Sequence, residues 1–135
     1  MARPDDWIRQ AERDIVHAKE SINIEHYEWS VLAAQQGAEK AIKALHYELG
    51  GDPWGHSIFK FMENLPKRIK VPEEIINAAK NLDKHYITSR YPNGFASGAP
   101  EDYYIEKDAK EATDYGEKIL KFCKDSISSL RKETE

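Results

Sequence analysis

Cysteine is almost absent: the 135 residues contain one, Cys123. That excludes an intramolecular disulfide and a thiolate metal centre. Its neighbours Ile119, Leu120 and Ile127 predict a small buried hydrophobe rather than a reactive thiol. No apolar run approaches the ~20 residues of a membrane span, and the first residues hold no hydrophobic signal core; a cytoplasmic protein is the expectation. Excess positive charge is missing as well. Twenty Lys and Arg stand against 24 Asp and Glu, a net charge of -4, which argues against a broad nucleic-acid face because such a face must displace counterions. Any polyanion site must be small and local. A Gly-rich phosphate loop, an HExxH pair and a nucleophile elbow are all lacking. None of the five histidines, His17, His26, His46, His56 and His85, lies i, i+4 from another. No metal site is therefore expected, and no cofactor. There is also no internal repeat and no alternating run that would make a strand.

What the chain does have is helical periodicity. Trp7, Ala11, Ile15, Ala18 and Ile22 predict an amphipathic helix from about Asp5 to Asn23, with Pro4 suited to its first turn. Val31, Ala34, Ala38, Ala41 or Ile42, Leu45 and Leu49 predict a second from about Glu28, stopped by Gly50-Gly51-Asp52-Pro53. A short helix is expected over Ser57 to Leu65 and a medium one over Glu73 to Ser89. The loop from Arg90 to Pro100 is too long to be idle, so it is either mobile or functional. A long final helix is expected from Glu101 to Leu130, with a frayed tail over 131–135. These elements predict one all-α domain over 1–135, an up-and-down bundle of about five helices.

Two constellations could carry chemistry. On the second helix, Gln36, Lys40 and Lys43 share a face beside Gln35, Glu39 and Ile42. A lysine pair can bind phosphate, but a solvated flank helped by the Glu39–Lys43 spacing is the favoured alternative. On the fourth, Asp83, Tyr86, Ile87 and Arg90 fall at i, i+3, i+4 and i+7 and share a face, followed by Tyr91-Pro92-Asn93-Gly94. Arg90 either caps the helix end or grips a phosphate between Tyr86 and Tyr91. His56, ahead of the third helix, either caps and packs or stands at the mouth of a site.

The string from Ala34 to Leu45 (AQQGAEKAIKAL), the Gly-Gly break, His56 before a short helix, and Leu82 to Pro92 (LDKHYITSRYP) together resemble the HEPN domain, the higher eukaryote and prokaryote nucleotide-binding family, in its small stand-alone prokaryotic form. The resemblance runs over nearly the whole chain. It implies a helical bundle that forms a homodimer, with the region after the fourth helix near the dimer cleft, and a minimal nucleotidyltransferase as protein partner in a toxin–antitoxin-like pair. It also implies either nucleotide or RNA binding, or metal-independent ribonuclease action through an Arg followed four to six residues later by a His. Arg90 matches the first half of that pattern. Phe95, Ala96 and Ser97 occupy the positions for the second, and no histidine follows Arg90.

The resemblance and this departure from it imply a non-catalytic protein that binds a nucleotide or RNA end. In that reading Arg90 holds phosphate and Tyr91, with Tyr86, stacks a base. Asp83 fixes Arg90 or a ribose hydroxyl, and Lys43 and His56 line the rim. Two alternatives stand beside it: an endoribonuclease toxin using Arg90 with His56 as an atypical acid or base, and a purely structural dimerisation or interaction module.

Overall fold

Proline has no amide hydrogen to leave unpaired, so Pro4 begins helix α1 (Pro4–Asn23) with Asp5 and Asp6 at the positive end of its dipole. The computed structural model describes residues 2–134. Glu25, at a left-handed φ of 61°, turns the chain into α2 (Tyr27–Glu48). The connector through Trp54 leads to α3 (Ile58–Glu63), and α4 covers Glu73–Thr88. A single 3-10 turn, Pro92–Gly94, precedes α5 (Pro100–Tyr103) and α6 (Glu106–Glu133). Among the described residues there are six α-helices and no strand, the all-α class expected. No helix among them is long and apolar enough to cross a membrane.

Side-chain pairs give the helix directions. Trp7 meets Tyr47 and Asp14 meets Lys40, so α1 and α2 are antiparallel. Glu12 pairs with Lys124 and Lys19 with Glu117, so α6 also opposes α1. Arg90 reaches Gln35 and His85 reaches Tyr104, which sets α4 against both α2 and α6. The result is an up-down-up-down bundle. α2 lies at its centre, with Val31, Ala34, Ala38, Ile42 and Leu45 fully buried. Its small residues let the neighbours come close. A Cβ built on Gly37 would lie 2.9 Å from Ile15 Cδ1, and one on Gly116 would lie 2.8 Å from the same atom and 3.2 Å from the Ala34 carbonyl. Ile15 is thus a wedge between two glycines. Gly116→Val is expected to cost about 2 kcal/mol through overpacking, read as a lower urea midpoint at unchanged slope; a variant as stable as the parent would show that Ile15 can withdraw.

Two expectations, for the final helix and for the tail, need correction. The final helix is not continuous from Glu101, because Tyr104 and Ile105 are extended. Asp102 accepts the Ala99 amide (2.8 Å) and Asp108 accepts the Ile105 amide (3.0 Å), so each acid caps its own segment. The loop over 91–100 is held by Tyr103 of α5: the Phe95 and Tyr103 rings stack at 4.2 Å, and the Tyr103 hydroxyl donates to the Ser97 carbonyl at 2.6 Å. The tail is helical to Glu133, because Arg131 bridges Asp5 and Glu48; Glu135 lies outside the described residues.

Candidate functional site

Because α2 and α4 run antiparallel, Gln35 faces Arg90, and one turn on Glu39 meets Lys43 and His56, which arrives from the connector. Arg90 is half-buried, and its position is set entirely by neutral groups. Its Nε donates to the Tyr86 carbonyl (2.9 Å), its Nη2 donates to Gln35 Oε1 (2.9 Å), and its guanidinium lies 4.4 Å from the Tyr86 ring centre. Arg3, Arg9, Arg68 and Arg131 each meet a carboxylate. Arg13 and Arg90 meet none within ion-pair distance among the described residues, and of the two only Arg90 is held by hydrogen bonds.

Glu39 is a buried carboxylate. It accepts from Gln35 Nε2 (3.2 Å), from Lys43 Nζ (3.1 Å), and from His56 Nδ1 at 3.2 and 3.3 Å to its two oxygens. The His56 ring stacks on Tyr86 at 4.8 Å. Since Nδ1 is turned to Glu39, the other nitrogen, Nε2, is the one left for an outside group. One tyrosine ring therefore lies against both the exposed imidazole and the guanidinium.

The remaining expected residues are placed differently. Asp83 does not touch Arg90. Its carboxylate accepts from Ser57 Oγ (2.9 Å) and from the amides of Ile58 (2.8 Å) and Phe59 (3.0 Å), and so holds the start of α3. Tyr86 is occupied by His56 and Arg90 rather than open to a base. Lys43 lies inward, 5.7 Å from the Phe61 ring and 6.0 Å from that of Trp7, so it is not on a rim. Nor is the Gln36 face a plain solvated flank, since Lys40 is tied to Asp14 at 2.6 Å. Tyr91 is 52% exposed. With Trp29, which is 55% exposed, it borders an open cavity of about 490 Å³ whose wall also includes Leu32, Arg90, Glu28 and Glu101. Sequence reasoning did not count Gln35, Glu39 or Trp29 among the site residues. For the first two the signal was present: polar residues at i and i+4 inside a stretch of Ala and Gly, where only a buried partner explains them. Among the described residues, no group of three or more His, Cys, Asp or Glu is placed to hold a metal.

A second histidine is tied into the fold. Thr88 donates to the Lys84 carbonyl (3.3 Å) and shares a 2.7 Å bond with the Tyr104 hydroxyl, which also lies 2.8 Å from His85 Nδ1. The Tyr104 hydroxyl thus joins Thr88 and His85 in one hydrogen-bonded chain. Burial holds the His85 pKa below its ordinary 6.5, with Asp108 pulling it up and Lys84 pushing it down. The unfolded chain then binds the proton more readily than the folded one. The His85 contribution is complete above the unfolded value of about 6.5 and is lost as the pH falls below it through the lower folded value. His85→Asn is expected to flatten the fall in Tm between about pH 7.5 and about pH 5.5; parallel curves for parent and variant would refute this.

Comparison with known proteins agrees with this architecture. The family model described as HEPN domain matches residues 4–126. The crystal structure of TT1696 from Thermus thermophilus is 42% identical, with a TM-score of 0.90 over 93% of this chain and 99% of that one. ST0689, described as an archaeal HEPN homologue, is 40% identical with a TM-score of 0.80, over 94% of this chain and 99% of that one. A Methanocaldococcus jannaschii protein, MJ1304, named provisionally as a toxin, is 28% identical over 130 residues, covering 90% of this chain and 86% of its own length.

Proposed function

Because the chain belongs to the HEPN domain family, we propose that it is a toxin–antitoxin-type HEPN protein that binds the phosphate of a nucleotide or RNA end at Arg90. It acts as a homodimer with a nucleotidyltransferase as its protein partner. The observation that carries the ligand is the state of Arg90: a guanidinium aimed by an amide, a carbonyl and a ring, with its charge unspent. Exposed Tyr91 and Trp29 beside it supply faces for a base or for a second protomer. The toxin name of the Methanocaldococcus jannaschii relative supports the toxin–antitoxin setting. Titration with ATP, GTP and a short 5'-phosphorylated RNA tests the ligand. Arg90→Ala is expected to weaken binding roughly 10- to 100-fold, the scale of one charge-assisted contact. No binding, or equal binding by the variant, would remove the ligand and leave a partner role.

One observation favours a second reading, the metal-independent endoribonuclease: the Glu39–His56 pair has the form of a base held by its orienting carboxylate. His56 Nε2 would take the proton of a 2'-hydroxyl as its oxygen bonds to phosphorus and the 5'-oxygen leaves, protonated by water, with Arg90 against the phosphate. RNA cleavage that survives EDTA and disappears in both His56→Ala and Arg90→Ala would establish it; RNA left intact by the purified protein would dismiss it. Sedimentation of Arg90→Ala and Tyr91→Ala covers the structural alternative, in which dimerisation fails and no ligand affinity is lost.

A further inference from the structure

We infer that Gln35 is the positioning residue of the Arg90 site, a neutral tether that aims the guanidinium while leaving its full charge for an incoming phosphate. This rests on the reading that Arg90 takes an anion. Gln35 is fully buried, and every polar atom of its amide is engaged. Oε1 accepts from Arg90 Nη2 (2.9 Å) and from Gln36 Nε2 (2.8 Å), while Nε2 donates to Glu39 (3.2 Å). These contacts fix the amide in one orientation, because the flipped form would turn N–H groups toward two donors.

The contrast is with Arg131. Its guanidinium is also held in place, but by the carboxylates of Asp5 and Glu48, which consume its charge and push its pKa up. At Arg90 the carboxylate sits one turn further along α2, at Glu39, where Lys43 neutralises it. Exchanging the amide at 35 with the carboxylate at 39 would keep the number of groups and the net charge, yet bring the negative charge against Arg90. An arginine that serves only the fold gains from such a partner, whereas one that binds an external anion loses by it.

The test follows from that exchange. The doubly substituted Gln35→Glu, Glu39→Gln protein is compared with the parent and with Arg90→Ala, using AMP and a 5'-phosphorylated oligoribonucleotide as probes and measuring affinity across a salt series. The exchanged protein is expected to bind at least roughly tenfold more weakly than the parent, with a shallower salt dependence, although its Arg90 tether is intact. Gln35→Met, which removes the tether without adding charge, is expected to weaken binding by about threefold or more while keeping the parent's salt dependence. If Arg90→Ala weakens binding but the exchanged protein or Gln35→Met binds as the parent does, the role of Gln35 is overturned and the phosphate reading stands. If Arg90→Ala binds as the parent does, the phosphate reading itself fails, and the inference with it.

Discussion

Glu39→Ala is expected to cost the bundle about 3 kcal/mol or more, the scale of breaking a buried ion pair by removing one member. The Lys43 and Glu39 side chains are 13% and 7% exposed, so water cannot take over the role of the lost carboxylate. The substitution strands the Lys43 ammonium beside the rings of Phe61 and Trp7, leaves Gln35 Nε2 without its acceptor, and frees His56. Glu39→Gln keeps an oxygen for these donors and removes only the charge, so about half that loss is expected. Urea denaturation of both variants at constant slope measures the difference. A loss under about 1 kcal/mol in the alanine variant would mean that the pair behaves like a surface one.

Asp83→Ala is expected to cost about 2–3 kcal/mol, because one carboxylate holds three donors at the start of α3. A six-residue helix cannot persist on its own; α3 depends on being held at this end and on burying Ile58, Phe61 and Met62. The loss should be local first. Amide exchange at Ile58 and Phe59 is expected to accelerate more than exchange in the middle of α2. Affinity for a phosphate probe should change little, since Asp83 does not touch Arg90. If affinity falls as it does in Arg90→Ala while α3 stays protected, the carboxylate serves the ligand after all.

These two acids show where the sequence was readable. The spacing of Glu39 and Lys43 predicts an i, i+4 pair, and the pair exists. The sequence places it on a solvated flank, whereas His56 and the rings of Phe61 and Trp7 come over it from elsewhere in the chain. Asp83 is correctly placed on the face of Tyr86 and Arg90 by helical period, but side chains on one face need not share a partner. Asp83 points to the amides of α3, which sequence spacing cannot see because the contact spans about two dozen positions. Cys123 was legible throughout: it is fully buried among apolar neighbours, and burial raises its pKa far above the range in which a thiolate forms.

The sequence by itself determined the local matters: α1, α2 and α4 to within a residue at each end, the stop at Gly50-Gly51, the all-α class, and an arginine with no histidine four to six residues after it. Those follow from periodicity and from the backbone limits of Gly and Pro, which act between near neighbours. The break of the last helix at Tyr104 and the packing of the loop over 91–100 rest on contacts three to eight residues apart that helical periodicity does not register; the tertiary structure alone decided that Gln35 bonds Arg90 and that Glu39 and His56 meet beside it. That gathering depends on which distant side chain satisfies a polar group removed from water, and it is settled only when antiparallel α2 and α4 bring their faces together.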